Sequence, residues 1–212
     1  MIGVLIFIVE LFVLYFLSKK FIQKLFINIY RLVHNKEKAA VILGWIFLPG
    51  TFVHEISHFI TALFLIVPVG RINLMPEIVD NGIKLGSAEV GKTDFIRGSI
   101  IGLAPLIFGG GITLYLVYFI ISSGNINIWA VLVLVFLIFE LSNTMFSSKK
   151  DLVSVLELVV FITIISVVMI YFKFYEPFIF MYGELLGIAS SVQVFSFYLL
   201  IPILIELIFL LL

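Results

Sequence analysis

The sequence predicts an all-α polytopic membrane protein with about six transmembrane helices and one short membrane-associated β-hairpin insert. Of the 212 residues, 63% are hydrophobic and 12% are charged, and the mean hydropathy is +1.28. A soluble domain is about 45–50% apolar and about 25% charged. We therefore expect an integral, multi-pass membrane protein.

Six apolar runs are long enough to be helices that cross a bilayer, which takes about 20 residues each. We expect helices because a backbone in lipid must satisfy its own hydrogen bonds. The runs cover residues 2–17, 39–67, 95–121, 128–146, 152–172 and 195–212. We treat residues 1–212 as a single membrane-embedded domain.

Two stretches between these runs are more polar. Residues 18–38 hold six of the thirteen basic residues and repeat apolar residues at helical spacing, which is typical of an amphipathic helix on the membrane surface. Residues 68–94 contain two short strand-like segments around Asp80-Asn81-Gly82. Because Asn-Gly favours tight hairpin turns, this insert is predicted to be a β-hairpin.

Composition excludes several functions. The net charge is zero, so nothing favours binding to nucleic acid. The chain has no cysteine, which excludes disulfides, thiolate metal sites and cysteine nucleophiles. The lipid bilayer is the one partner that composition predicts, and the oligomeric state is left open.

The second apolar run contains the motif His-Glu-x-x-His at His54, Glu55 and His58. Residues four apart share one helix face, about 6 Å apart along the axis. Two imidazoles there can bind one Zn²⁺ ion, and Glu55 can take a proton from a metal-activated water. With three histidines in 212 residues, a chance match is rare. The alternative is a buried polar cluster that satisfies itself between helices.

A zinc hydrolase needs a third protein ligand and an open position for water. The candidate acids in the later helices are Glu140, within the fourth run, and Asp151, which follows it. Composition and periodicity do not choose between them. Acids in the polar insert are better explained as solvated residues.

An apolar chain with this motif in its second helix resembles the site-2-protease-type intramembrane zinc metalloproteases. In that family a later helix carries an asparagine, and the aspartate eight residues further on is the third zinc ligand. The resemblance implies that Asp151 is a metal ligand here. It also implies that Asn143 holds the substrate backbone or the catalytic water.

The resemblance is incomplete around Asp151. Phe146 stands where the family has proline, Lys150 where it has leucine and Leu152 where it has glycine. Glu140 therefore remains the alternative third ligand. The family also has an Ala-Gly-Pro-Leu stretch, which residues 103–106, Leu-Ala-Pro-Leu, match in part. Pro105 can kink that helix, and the glycines at 109–111 allow close packing.

The function implied is hydrolysis of peptide bonds in a transmembrane-helix protein substrate. The hairpin at 68–94 either offers a strand edge to an unwound substrate segment or is a simple surface hairpin. The alternatives are a metal transporter and a non-catalytic metal-binding membrane scaffold, because membrane histidines and acids also line ion paths.

The depth of the motif raises a geometric requirement. In a straight helix, His54 and His58 lie about 20 and 14 Å below the membrane face near Val67. Asp151 follows the fourth run and belongs near that same face. We therefore predict that the fourth helix breaks within 142–151, where polar residues can line a cavity.

Overall fold

The computed structural model describes residues 2–79, 82–124, 126–146, scattered residues between 160 and 171, Ser196 and residues 199–211. Within these ranges the chain is mostly helical, with one small hairpin. The helices are α1 (Ile2–Val33), α2 (Lys36–Ile46), α3 (Leu48–Phe64), α4 (Phe95–Ser122) and α5 (Ile128–Thr144), and a C-terminal helix, Leu199–Leu211. The strands are β1 (Val69–Asn73), β2 (Glu77–Val79), β3 (Gly82–Lys84) and β4 (Ser87–Val90).

Among the described helices, α4 is long and apolar enough to cross a membrane. The bent pair of α2 and α3 adds a second span if the two helices are counted together. Helix α5 and the C-terminal helix are apolar but shorter. Most of the fifth expected helix, 152–172, lies outside the described residues. The count of six spans therefore stays a prediction.

The expected surface helix over 18–38 is not a separate element. Helix α1 runs without a break for 32 residues, because it contains no proline and its one glycine is Gly3. The break comes later, at His34, which has a left-handed backbone with φ of 55°. Asn35 then caps α2 by accepting the Lys38 backbone N–H at 3.0 Å.

The expected single helix over 39–67 is wrong, because it is divided into α2 and α3, which meet at an angle of 76°. Pro49 lies in the first turn of α3. Proline lacks an N–H, and its ring clashes with the carbonyl four residues earlier, so Pro49 favours a break in the helix before it. Phe47 occupies the bend and is fully buried against Phe21 and Leu43.

The hairpin is present as two antiparallel pairs, with β1 on β4 and β2 on β3. The expected turn residues Asp80 and Asn81 lie outside the described residues. Pro76 packs against Gly44 of α2, where an added Cβ would lie 2.6 Å from the Pro76 ring. The hairpin is therefore packed against the helices.

Helix α3 lies at the centre of the bundle and packs on α4, α5 and the hairpin. Helix α5 runs antiparallel to α1, since Phe146 contacts Tyr15 while Phe139 contacts Phe21. The three expected close-packing glycines of α4 differ in their surroundings. A Cβ at Gly109 would lie 2.9 Å from Met145, but Gly110 and Gly111 have no neighbour within 4 Å.

The C-terminal helix packs parallel to α1. Ser18 donates to Glu206 at 3.3 Å, and one and a half turns later Lys24 donates to the Leu210 carbonyl at 3.2 Å.

Candidate metal centre

The two histidines of the motif lie one turn apart on α3, and each ring is held by a backbone carbonyl of another helix. His54 Nδ1 lies 2.5 Å from the Thr144 carbonyl oxygen at the end of α5. His58 Nδ1 lies 2.8 Å from the Ile101 carbonyl oxygen of α4. Since a carbonyl only accepts, each Nδ1 carries the proton.

The Nε2 atoms of the two imidazoles face each other 3.2 Å apart, within hydrogen-bond distance. Two imidazoles on one tetrahedral zinc ion have Nε2 atoms about 3.3 Å apart, for zinc–nitrogen bonds of about 2.0–2.1 Å. The donor atoms, their spacing and their carbonyl partners fit a zinc ion.

The Thr144 carbonyl is available because of where α5 ends. Thr144 is the last residue of α5, and the final carbonyls of a helix lack an intrahelical donor. We expected a helix break within 142–151. Helix α5 ends inside that range, and its end lies beside His54.

Glu55 is buried where the hairpin meets α3. The segment between β3 and β4 passes over it, since a Cβ added to Gly86 would lie 3.1 Å from Glu55 Cγ and 2.6 Å from Thr51 Cγ2. The motif glutamate is thus covered by the hairpin.

A cavity of about 1190 Å³ opens onto the motif. Its walls come from α1, α3, the β3–β4 half of the hairpin, the first turns of α4 and the end of α5. His54, Glu55 and His58 all line it, as does Asn143. A chain segment entering this cavity reaches the three motif residues and Asn143 together.

Asn143, expected to hold a substrate or water, is almost fully buried at the wall of the cavity. Its Nδ2 donates to the Phe139 carbonyl at 3.0 Å, and its Oδ1 has no hydrogen-bond partner within the described part of the chain. The side chain also lies against the Glu206 carboxyl of the C-terminal helix. The Phe139 carbonyl and the Glu206 carboxyl therefore hold the Asn143 side chain in place.

The third ligand is not identified by the described residues. Asp151 lies outside them. Glu140 is buried beside the Gly50 backbone N–H and does not line the cavity. No group of three histidine, cysteine, aspartate or glutamate side chains suited to a metal occurs within the described ranges.

The charged residues of the cavity lie toward its hairpin side and along α1. Lys19, Lys84 and Lys92 are exposed lining residues from three different segments. Asp94 lines the cavity as well and caps α4 by accepting the Arg97 backbone N–H at 3.0 Å. That hydrogen bond lowers the pKa of Asp94 below its usual value. The rim is positively charged on balance.

Sequence reasoning missed a residue that supports the wall of the cavity. Glu206 was not assigned to the site, yet it is fully buried between Ser18 and Asn143, which both line the cavity. A glutamate inside an apolar run indicates that its carboxyl group has a polar partner in the fold. The sequence does not show which residue that partner is.

No protein-family model, curated protein or solved structure matches the chain. Inferences about its function therefore rest on the residues and geometry of this site.

Proposed function

We propose that this protein is an intramembrane zinc metalloprotease that cleaves peptide bonds of membrane-embedded protein substrates. The observation that carries the proposal is the pair of Nε2 atoms 3.2 Å apart on a helix that also presents Glu55. His54 and His58 hold the metal, and Asp151 is the proposed third ligand. Zinc, when bound, acts as a Lewis acid that polarises a carbonyl and acidifies water.

Glu55 is the proposed general base. It takes the proton of the attacking water and returns it to the leaving amine as the peptide bond breaks. Its burial beneath the hairpin limits competition from bulk solvent. Asn143 lines the cavity and is the proposed residue that holds the substrate backbone or the catalytic water.

The substrate enters as an extended segment. A transmembrane helix hides its peptide bonds in hydrogen bonds, so it must unwind locally before cleavage. Strand β4 pairs with β1 on one side, and Ser87, Ala88 and Val90 line the cavity. An unwound segment that pairs with β4 by strand addition lies along the cavity wall and reaches Glu55.

Metal content is the first test. Detergent-purified wild type, His58→Ala and Asp151→Ala are loaded with zinc, desalted and analysed for bound metal. We expect one zinc per chain in the wild type and loss in both variants. Loss in His58→Ala alone would assign the third ligand to another acid. A folded wild type that binds no zinc would contradict the proposal.

Proteolysis separates the protease from the alternatives of a metal transporter and a non-catalytic scaffold. A membrane-peptide library in liposomes is incubated with wild type, Glu55→Gln and the control Glu37→Gln, whose side chain is exposed on α2. We expect Glu55→Gln to abolish cleavage while keeping its zinc, and Glu37→Gln to behave as wild type. Zinc uptake that persists in Glu55→Gln, with no cleavage by any form, would favour a transporter.

A further inference from the structure

Pro105 lies in the interior of α4, which continues through it from Phe95 to Ser122. The residue is fully buried. An interior proline is strongly unfavourable in a helix relative to alanine. Helix formation therefore does not explain why residue 105 is a proline.

The proline leaves one helical carbonyl without its donor. In an α-helix each N–H bonds the carbonyl four residues earlier, and proline has no N–H. The acceptor released by Pro105 is therefore the carbonyl of Ile101. This carbonyl is the one that lies 2.8 Å from His58 Nδ1.

The turn of α4 around Ile101 is fixed against α3. The Ile101 side chain is buried in a cluster with Ala62 and Val67, which flank the end of α3. The released carbonyl and the His58 ring are thus brought together by packing that involves neither group. A restored N–H at residue 105 would compete for the same oxygen as a three-centre hydrogen bond.

We propose that Pro105 is a positioning residue of the metal centre. Because it has no backbone N–H, it leaves the Ile101 carbonyl available to accept a hydrogen bond from His58. The bond keeps the proton on Nδ1 and directs the Nε2 lone pair of His58 toward that of His54. The predicted effect on zinc affinity rests on the proposed function. The predicted hydrogen bond between the Ile101 carbonyl and His58 does not.

The test compares Pro105→Ala with Pro202→Ala. Pro202 is also fully buried, but it belongs to the C-terminal helix and does not line the cavity. Zinc dissociation constants are measured by competition with a fluorescent chelator in detergent. We expect Pro105→Ala to weaken zinc binding about tenfold, the low end of what loss of a ligand's hydrogen-bond partner costs. Pro202→Ala should keep wild-type affinity.

Thermal unfolding of the metal-free proteins separates positioning from a packing role. Alanine is the better helix former, so Pro105→Ala should unfold at the wild-type temperature or above while binding zinc more weakly. Weaker binding together with a lower unfolding temperature would indicate that Pro105 acts through packing alone. Unchanged zinc affinity would overturn the proposal outright.

Nitrogen NMR of ¹⁵N-histidine protein gives a readout that does not depend on zinc. The His58 ring signals are assigned by their loss in His58→Ala. In the metal-free wild type we expect His58 to carry its proton on Nδ1, and in Pro105→Ala we expect a mixture of both tautomers. The same tautomer in both proteins refutes the inference, even if the wild type binds no zinc and the proposed function fails.

Discussion

Gly86 and Glu55 are in direct contact, although one belongs to the hairpin and the other to the centre of the helical bundle. A Cβ at residue 86 would lie 3.1 Å from Glu55 Cγ and 2.6 Å from Thr51 Cγ2. Contacts this short force a neighbour to move. The hairpin can therefore lie this close to the motif only because residue 86 is a glycine.

The first prediction follows from this contact. Gly86→Ala should displace the hairpin from Glu55 and reduce cleavage at least tenfold, because a shift of about 1 Å near reacting groups is costly. Zinc content should stay at the wild-type level, since none of the three atoms nearest to the added Cβ belongs to a histidine. The matched control is Gly110→Ala, which has no neighbour within 4 Å. Full cleavage activity in Gly86→Ala would show that the contact with Glu55 is dispensable.

The second prediction concerns the approach of α3 to α5. A Cβ at Gly50 would clash with Thr144 Oγ1 and lie 2.9 Å from the Glu140 carbonyl oxygen. Gly50→Ala should push the end of α5 away and lengthen the hydrogen bond from His54 to Thr144. Overpacking of this kind costs about 1–3 kcal/mol, so both the unfolding temperature and zinc retention should fall.

The control for Gly50→Ala is Gly111→Ala, at a helical glycine without neighbours within 4 Å. Alanine has the higher helix propensity, so this variant should unfold at the wild-type temperature or above. The proposed packing of α3 on α5 would be contradicted if the two variants had equal unfolding temperatures and equal zinc content.

The parts of the site that local sequence determines were predictable. His54 and His58 lie on one face because the helix repeat fixes where residues four apart point. The expected helix over 95–121 agrees with α4, Phe95–Ser122, because Asp94 is a strong N-cap and the run after it is continuously apolar. In both cases the deciding interactions lie within a few residues.

Features that depend on distant residues were not predictable. The acceptors of the two histidines are backbone carbonyls of Thr144 and Ile101, and any residue type has a carbonyl. The break at Phe47 was not predicted because the apolar run continues through Pro49. Hydropathy measures how apolar a side chain is and carries no information about the N–H that proline lacks. Glu206 and Asn143 are 63 positions apart in the chain, so their contact exists only in the folded protein.

The third prediction concerns pH and the cap of α4. The Arg97 backbone N–H lowers the pKa of Asp94. A carboxyl whose pKa is lower in the folded than in the unfolded state stabilises the fold above the unfolded value, and this contribution is lost as pH falls through the folded value. Asp94→Ala should therefore lower the unfolding temperature at neutral pH, and the gap to wild type should narrow toward about pH 3.

Asp94→Asn is the matched variant for this measurement. Asparagine is an equally good N-cap without a titratable group. The gap in unfolding temperature between Asp94→Asn and Asp94→Ala should therefore change little with pH. If the gap between wild type and Asp94→Ala were equally constant, the ionised carboxylate would not be the stabilising form of the cap.

The fourth prediction tests whether the C-terminal helix supports the site through Glu206. The Glu206 side chain is fully buried, accepts from Ser18 at 3.3 Å and lies against Asn143. Glu206→Leu leaves buried polar groups without a partner, which costs about 1–3 kcal/mol for each group. Glu206→Gln keeps an acceptor and should be the milder change. The unfolding temperatures of Glu206→Leu and Glu206→Gln, measured in the same detergent as wild type, give the two losses of stability.

A double-mutant cycle decides whether Glu206 acts on Asn143 in particular. Residues in contact show coupling of about 0.5–3 kcal/mol, so Glu206→Leu and Asn143→Ala together should cost less than the sum of the two separate changes. Glu10 gives the control cycle, because it accepts from Ser196 rather than from Asn143. Glu10→Leu combined with Asn143→Ala should be additive. Additivity in both cycles would show that the Glu206 contact supports the helix pair alone, and Asn143 would then owe its orientation to the Phe139 carbonyl.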